Sequence, residues 1–306
     1  MAKYHSSDEV LKVLFELKLT GNNIFRGISR DIELLPIIQR CGPQNLGQDN
    51  IIGLRESEYL MLDTFVRKGS SFFLSNYDVL DYVTCAQHYG LPTRLIDWTK
   101  DPFVALYFSI ISNERAENDI YKIYYADIRD QIVIDRYYGR STHGDLEFIK
   151  PEFIQLYKNF INLIENGELL NAIRHRKEAL KRIGVGAIDD DYYNVFDLDV
   201  EYPTPINQEG LIIFDPKLLN NRLIAQDGLF SIPRSIDYNN ARDEILDKTE
   251  CIEFTHVIRE ELIGKLMNMG YTRSRLFPEL GVVAESIKYD FYKKTEHLSG
   301  SAKPKQ

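Results

Sequence analysis

Three short segments hold residue types whose chemistry goes beyond packing. The first is Ile24-Phe25-Arg26-Gly27-Ile28. Its arginine has apolar neighbours, so the guanidinium turns partly inward and needs an anionic or carbonyl partner. That partner is either a nearby Asp or Glu, or a ligand phosphate or carboxylate gripped in bidentate fashion. The second is Ala86-Gln87-His88-Tyr89-Gly90-Leu91-Pro92-Thr93-Arg94-Leu95-Ile96-Asp97-Trp98-Thr99. His88 falls at an expected helix C-terminus, where the helix dipole favours the protonated imidazole; helix capping is the alternative use. Asp97 and Thr99 lie where a strand enters a helix capped by Asp101, and backbone N–H groups at such a junction suit an anion. Asp97 is alternatively a partner of Arg26 or Arg94. The third runs from Asn220 to Phe230. Arg222 and Gln226 bracket an apolar run, and in an extended strand they share one face; a solvated edge is the alternative.

Metal chemistry has little to build on. The six histidines are scattered, and Cys41, Cys85 and Cys251 form no CxxC pair. No spacing suggests a zinc site, so no metal is expected. His88, Asp97 and Glu58 are the residues a metal-dependent nuclease would use. The three unpaired cysteines fit a reducing compartment. The net charge of −9 excludes a wholly basic nucleic-acid coat. One basic run, Arg174-His175-Arg176 to Arg182, stands out against that balance. It is either a solvated helix face or a contact for nucleic-acid phosphates.

The elements that must position these residues alternate irregularly. An amphipathic helix is expected near 7–18, capped by Ser7. A strand at 24–28 and a loop at 36–54 follow, then helices near 55–68 and 77–89. Gly90 and Pro92 end the second of these. Residues 93–98 read as a strand, and Asp101-Pro102 opens an apolar helix. Further strands are expected at 120–127, 210–214, 223–232 and 251–257. A helical insertion is expected near 146–184, a loop at 186–207, a short helix from Asp215-Pro216, and helices near 258–269 and 278–294. The pattern is α+β, a single domain over 1–295 with a disordered tail at 296–306. No signal peptide or membrane span is visible, so a cytoplasmic location is expected.

Together, Phe25-Arg26-Gly27, Ala86 to Thr99 with Pro102 to Phe108, Asn221 to Phe230, and Thr272 to Leu280 resemble the FRG domain. A weaker resemblance is to arginine-type ADP-ribosyltransferases, whose core is a split mixed β-sheet. There, an early strand carries an NAD-binding arginine, matched here by Arg26. A second strand carries Ser-Thr-Ser, where this sequence has Asp97-Trp98-Thr99 ahead of Val104-Ala105-Leu106-Tyr107-Phe108. A third strand carries a catalytic glutamate, and that position falls on Arg222, with Asn220 upstream. The resemblance implies NAD as substrate and a toxin role in phage defence. It also implies a neutralising antitoxin or chaperone as partner, and an RNA or protein acceptor. Arg26, Gly27, Tyr89, Thr93, Arg94, Trp98 and Thr99 would then hold NAD. His88, Asp97, Arg222 and Gln226 would join Arg26 in catalysis, with Asp97 or Asp227 replacing the glutamate. A non-catalytic nucleotide sensor is the second reading.

Overall fold

A computed structural model describes residues 2–29, 33–40, 51–73, 77, 79–111, 120–134, 151–167, 211–216 and 220–288. Eight strands are defined: β1 (Ala2–Tyr4), β2 (Asn23–Ser29), β3 (Ile96–Thr99), β4 (Ile120–Asp127), β5 (Ile132–Ile134), β6 (Ile212–Phe214), β7 (Gly228–Ile232) and β8 (Glu250–Thr255). They form one mixed sheet in the order β1-β8-β4-β2-β3-β7-β6-β5. The two outer pairs, β1 with β8 and β5 with β6, are parallel; the inner pairs are antiparallel. The helices include α1 (Ser7–Leu19), α2 (Ile37–Arg40), α3 (Ile51–Lys68), α4 (Val79–His88), α5 (Pro102–Ile110), α6 (Pro151–Glu165), α7 (Asn221–Gln226), α8 (Tyr238–Asp247), α9 (Arg259–Asn268) and α10 (Arg273–Leu276). Residues 280–288 are also helical. The architecture is α+β, and among the described residues no helix is long and apolar enough to cross a membrane.

The centre of the sheet is its weakest seam. β2 pairs with β4 over seven residues but with β3 through the single pair Phe25–Thr99. Because side chains alternate between faces along a strand, the two sides of this seam can be compared. On one face, a continuous apolar cluster crosses it: Ile24, Ile28, Ile96, Trp98, Tyr124 and Leu229 pack with Ala241 and Ile245 of α8. On the other face there are two clusters. Phe25, Ile123 and Phe254 pack under α1, α5 and α9. Phe230, Ile232 and Phe214 pack with α3, α4 and α6. The gap between those two clusters lies directly over the seam.

Gly27 sets how closely α5 approaches β2. A Cβ there would lie 1.7 Å from the Ala105 carbonyl oxygen, so only glycine admits the helix. α5 is otherwise specified locally. Asp101 accepts from the Phe103 N–H at 2.9 Å and Pro102 sits in the first turn, as expected.

Several expectations change. Ser6, not Ser7, caps α1, accepting from the Asp8 N–H. β3 begins at Ile96, so 93–95 is not strand. The largest correction concerns 221–226, which is helix and not strand. Asn220 caps it by accepting from the Leu223 N–H at 2.8 Å, and Asp227 ends it in the left-handed region at φ 46°. β7 begins only at Gly228. The insertion is helical over Pro151–Glu165. The expected basic helix face, the 186–207 loop and the disordered tail at 296–306 lie outside the described residues, as does most of the short helix expected after Pro216.

Candidate functional site

At the seam lies a cleft of about 340 Å³ that is lined from both faces, by Arg26, Ile28 and Trp98 on the side of the continuous cluster and by Gly27, Asp97 and Thr99 on the other. β2 and β3 supply its floor, α4, α5 and α7 its walls, with Arg26, His88, Asp97, Thr99, Arg222 and Gln226 among the lining side chains. Five of the expected catalytic residues therefore meet at one place.

Asp97 is the best-positioned reactive group. Its side chain is 51% exposed, whereas that of Arg26 is 20% exposed. Arg26 Nη1 donates across the seam to the Asp97 carbonyl oxygen at 2.5 Å and to its Oδ2 at 3.2 Å. Gln87 Nε2 donates to Asp97 Oδ1 at 2.7 Å. A carboxylate only accepts, so the Gln87 amide must present its nitrogen here and its oxygen to the other side. There the buried Thr93 hydroxyl donates to Gln87 Oε1 and accepts from the Leu95 N–H. Thr93, Gln87, Asp97 and Arg26 thus form one chain from the core to the cleft. Gln87 was not among the residues expected to act. Its signal was its place one residue before His88, on a helix that faces Asp97.

Thr99 and Gln226 hold elements together. The Thr99 hydroxyl donates to the Gln226 carbonyl oxygen at 2.6 Å and accepts from the Asp101 N–H. Gln226 Nε2 donates to the Leu276 carbonyl oxygen at 3.0 Å. Arg222, one helical turn before Gln226, also lines the cleft. The two residues share a face after all, through helical spacing and not through strand alternation.

The expectation for His88 reverses. Burial, followed by the Arg222 charge, lowers its pKa below the ordinary 6.5, with Glu279 opposing. The imidazole is neutral near pH 7, and the helix dipole does not win.

Three expected cofactor contacts, Arg94, Thr93 and Tyr89, do not line the cleft. Arg94 is fully buried, its Nε and Nη2 on Glu58 and its Nη1 on Glu165 at 3.2 Å. Tyr157 donates to the same Glu58 at 2.8 Å. Arg94 therefore clamps α3 and α6 to the strand entry and is corrected from ligand contact to core ion pair. This also removes Glu58 from any metal set with Asp97 and His88. Thr93 is fully buried on Gln87. Trp98 lines the cleft as expected, although most of its ring is in the core, where the indole N–H donates to Ser231 Oγ at 2.8 Å. Tyr89 is 74% exposed, rests against His88 and does not line the cleft. Asp227, the other candidate acid, is the exposed cap of α7 and does not line the cleft either.

The comparisons with known proteins bear on this geometry. Residues 21–118 match the family model of the FRG domain. Over that stretch, about a third of the chain, the protein is similar to the FRG domain. The matched stretch supplies β2, α4, β3 and α5, and with them the whole Thr93–Gln87–Asp97–Arg26 chain. Arg222 and Gln226 of the facing wall lie beyond it. No curated protein and no solved structure matches the chain.

Proposed function

We propose that the cleft binds NAD and transfers its ADP-ribose to a macromolecule. One observation carries this reading: Asp97 presents a half-exposed carboxylate to the cleft, fixed on both oxygens by Gln87 and Arg26 at the splayed centre of the sheet. Such a group is suited to stabilise positive charge developing on a ribose as its bond to nicotinamide breaks. In this reading nicotinamide leaves with the bonding electrons. The acceptor's oxygen or nitrogen bonds the anomeric carbon and gives up its proton to Asp97 or to water. Asp97 takes over the role of the glutamate that Arg222 replaces. The seam offers what a split-sheet transferase core would need, and the cleft volume suits the reacting half of a dinucleotide. Under the same reading the protein acts as a toxin in phage defence, held in check by an antitoxin or chaperone, with RNA or protein as acceptor.

The test is nicotinamide release from NAD in the presence of cell lysate, followed with label transfer to macromolecules. Release by the wild type that is lost in Asp97→Asn supports transfer. NAD binding with no release in any extract supports the second reading, a non-catalytic NAD sensor, which the placement of Arg222 on a helix favours. Absence of both NAD binding and release rejects the two together.

A further inference from the structure

Three arginines line the cleft, Arg26, Arg40 and Arg222. Arg40 directs its Nε at the Leu35 carbonyl oxygen at 3.0 Å, and the other two are treated differently from each other. Arg26 directs Nη1 at the carbonyl and the carboxylate of Asp97. Arg222 has no carboxylate partner among the described residues. Its guanidinium lies over the Phe277 ring, 4.6 Å from the centroid, and Phe277 packs edge-on against Phe108 of the cleft wall at 5.8 Å. Stacking on a ring fixes the plane of a guanidinium while leaving its in-plane N–H donors available. The helix beneath is also fixed, by the Asn220 cap and by the Gln226 bonds to Thr99 and Leu276.

A second feature lies on the facing helix. Thr84 and His88 are one turn apart on α4 and both line the cleft. The Thr84 hydroxyl is buried and makes no hydrogen bond among the described residues. A buried hydroxyl without a partner is costly in a finished structure, and a ligand oxygen would relieve that cost. His88 adds a neutral imidazole beside Arg222, able to donate from one nitrogen.

We propose that Arg222, with Thr84 and His88, forms the subsite for the pyrophosphate of a dinucleotide, and that Arg26 is a positioning residue that aims Asp97. This rests on the reading of the cleft as a nucleotide site. It departs from the residue correspondence, in which Arg26 holds the phosphate.

The test measures binding by calorimetry of inorganic pyrophosphate, ADP-ribose and nicotinamide riboside to the whole chain. Arg222→Gln is expected to weaken pyrophosphate and ADP-ribose by roughly 10- to 100-fold, the loss of one charge-assisted hydrogen-bonded contact. Arg222→Lys should recover part of that loss, and nicotinamide riboside, which has no phosphate, should not change. Arg26→Gln should leave pyrophosphate affinity within about threefold while abolishing nicotinamide release. Arg222 is half-buried with its guanidinium on one face of the Phe277 ring, and equal melting of its variants and the wild type, checked first, shows that a loss of binding is not a loss of fold. The proposal is overturned if Arg222→Gln binds both phosphate probes as the wild type does, or if Arg26→Gln is the variant that loses them. It is also overturned if the wild type binds neither probe, and the nucleotide assignment fails if ADP-ribose binds no tighter than pyrophosphate. Arg222-dependent pyrophosphate binding without nicotinamide release keeps the subsite and rejects transfer. Release with an unchanged KM for NAD in Arg222→Gln does the reverse.

Discussion

Arg94 and Arg26 are each paired with a carboxylate, and the two pairs lie on either side of the same short stretch of chain. Arg94 and Glu58 expose 1% and 0% of their side chains, and three guanidinium-to-carboxylate bonds join them. Arg26 and Asp97 expose 20% and 51%, with one side-chain bond between them. In the first pair every oxygen is committed to protein, so the pair fixes α3 and α6. In the second, the carboxylate is held but still open to solvent, which is the condition for reacting with a ligand. Burial and the number of partners, and not residue type, separate a clamp from a site.

The sharpest way to break this contrast is Arg94→Ala. Among the described residues, it leaves the buried Glu58 carboxylate with the Tyr157 hydroxyl and the backbone N–H of position 94 as its donors. A loss of about 3–5 kcal/mol is expected, read by urea denaturation. Gly27→Ala asks whether the cleft side has any position as intolerant. The added methyl must displace the Ala105 carbonyl, and a loss of about 1–3 kcal/mol is expected from the same assay. Asp97→Asn should change stability by less than about 1 kcal/mol, as for an exposed pair. Nicotinamide release should fall by roughly 10²-fold or more in that variant. A large stability loss in Asp97→Asn would erase the distinction between the two pairs.

The smallest effect concerns acid. The His88 pKa is lowered in the folded protein. Between that value and the ordinary one, the unfolded chain binds a proton that the folded chain refuses, so stability falls as pH drops through this window. His88→Asn should flatten that part of a pH–melting curve. An unchanged curve would show that His88 is not held neutral by its burial and by Arg222.

Local signals in the sequence were enough for several parts of the site. The Asp101-Pro102 opening of α5 and the Gly90 stop after α4 rely on neighbours a few residues away, and both are seen. The convergence of Arg26, Asp97, Arg222 and Gln226 in one cleft was implied by the resemblance that the segments carrying them share with a known family, and not by any single segment's composition. The role of Arg94 was not legible. Its partners, Glu58 and Glu165, are 36 and 71 residues distant, and nothing local distinguishes an arginine that will be buried from one that will face a ligand. The helix at 221–226 was misread because Leu223 and Ile224 form a short apolar run, which periodicity alone cannot assign. The Asn220 cap settles it, as its side chain competes for the backbone N–H groups that start a helix.

β1 carries a consequence for the order of events in folding. Ala2 lies opposite Ile252 and Tyr4 opposite Phe254. Among the described residues, β1 therefore has no strand partner until Glu250–Thr255 has been made. Closing so long a loop is entropically costly and slow. The edge at β1 should be among the last parts of the described sheet to assemble, after β4 and β8 have paired.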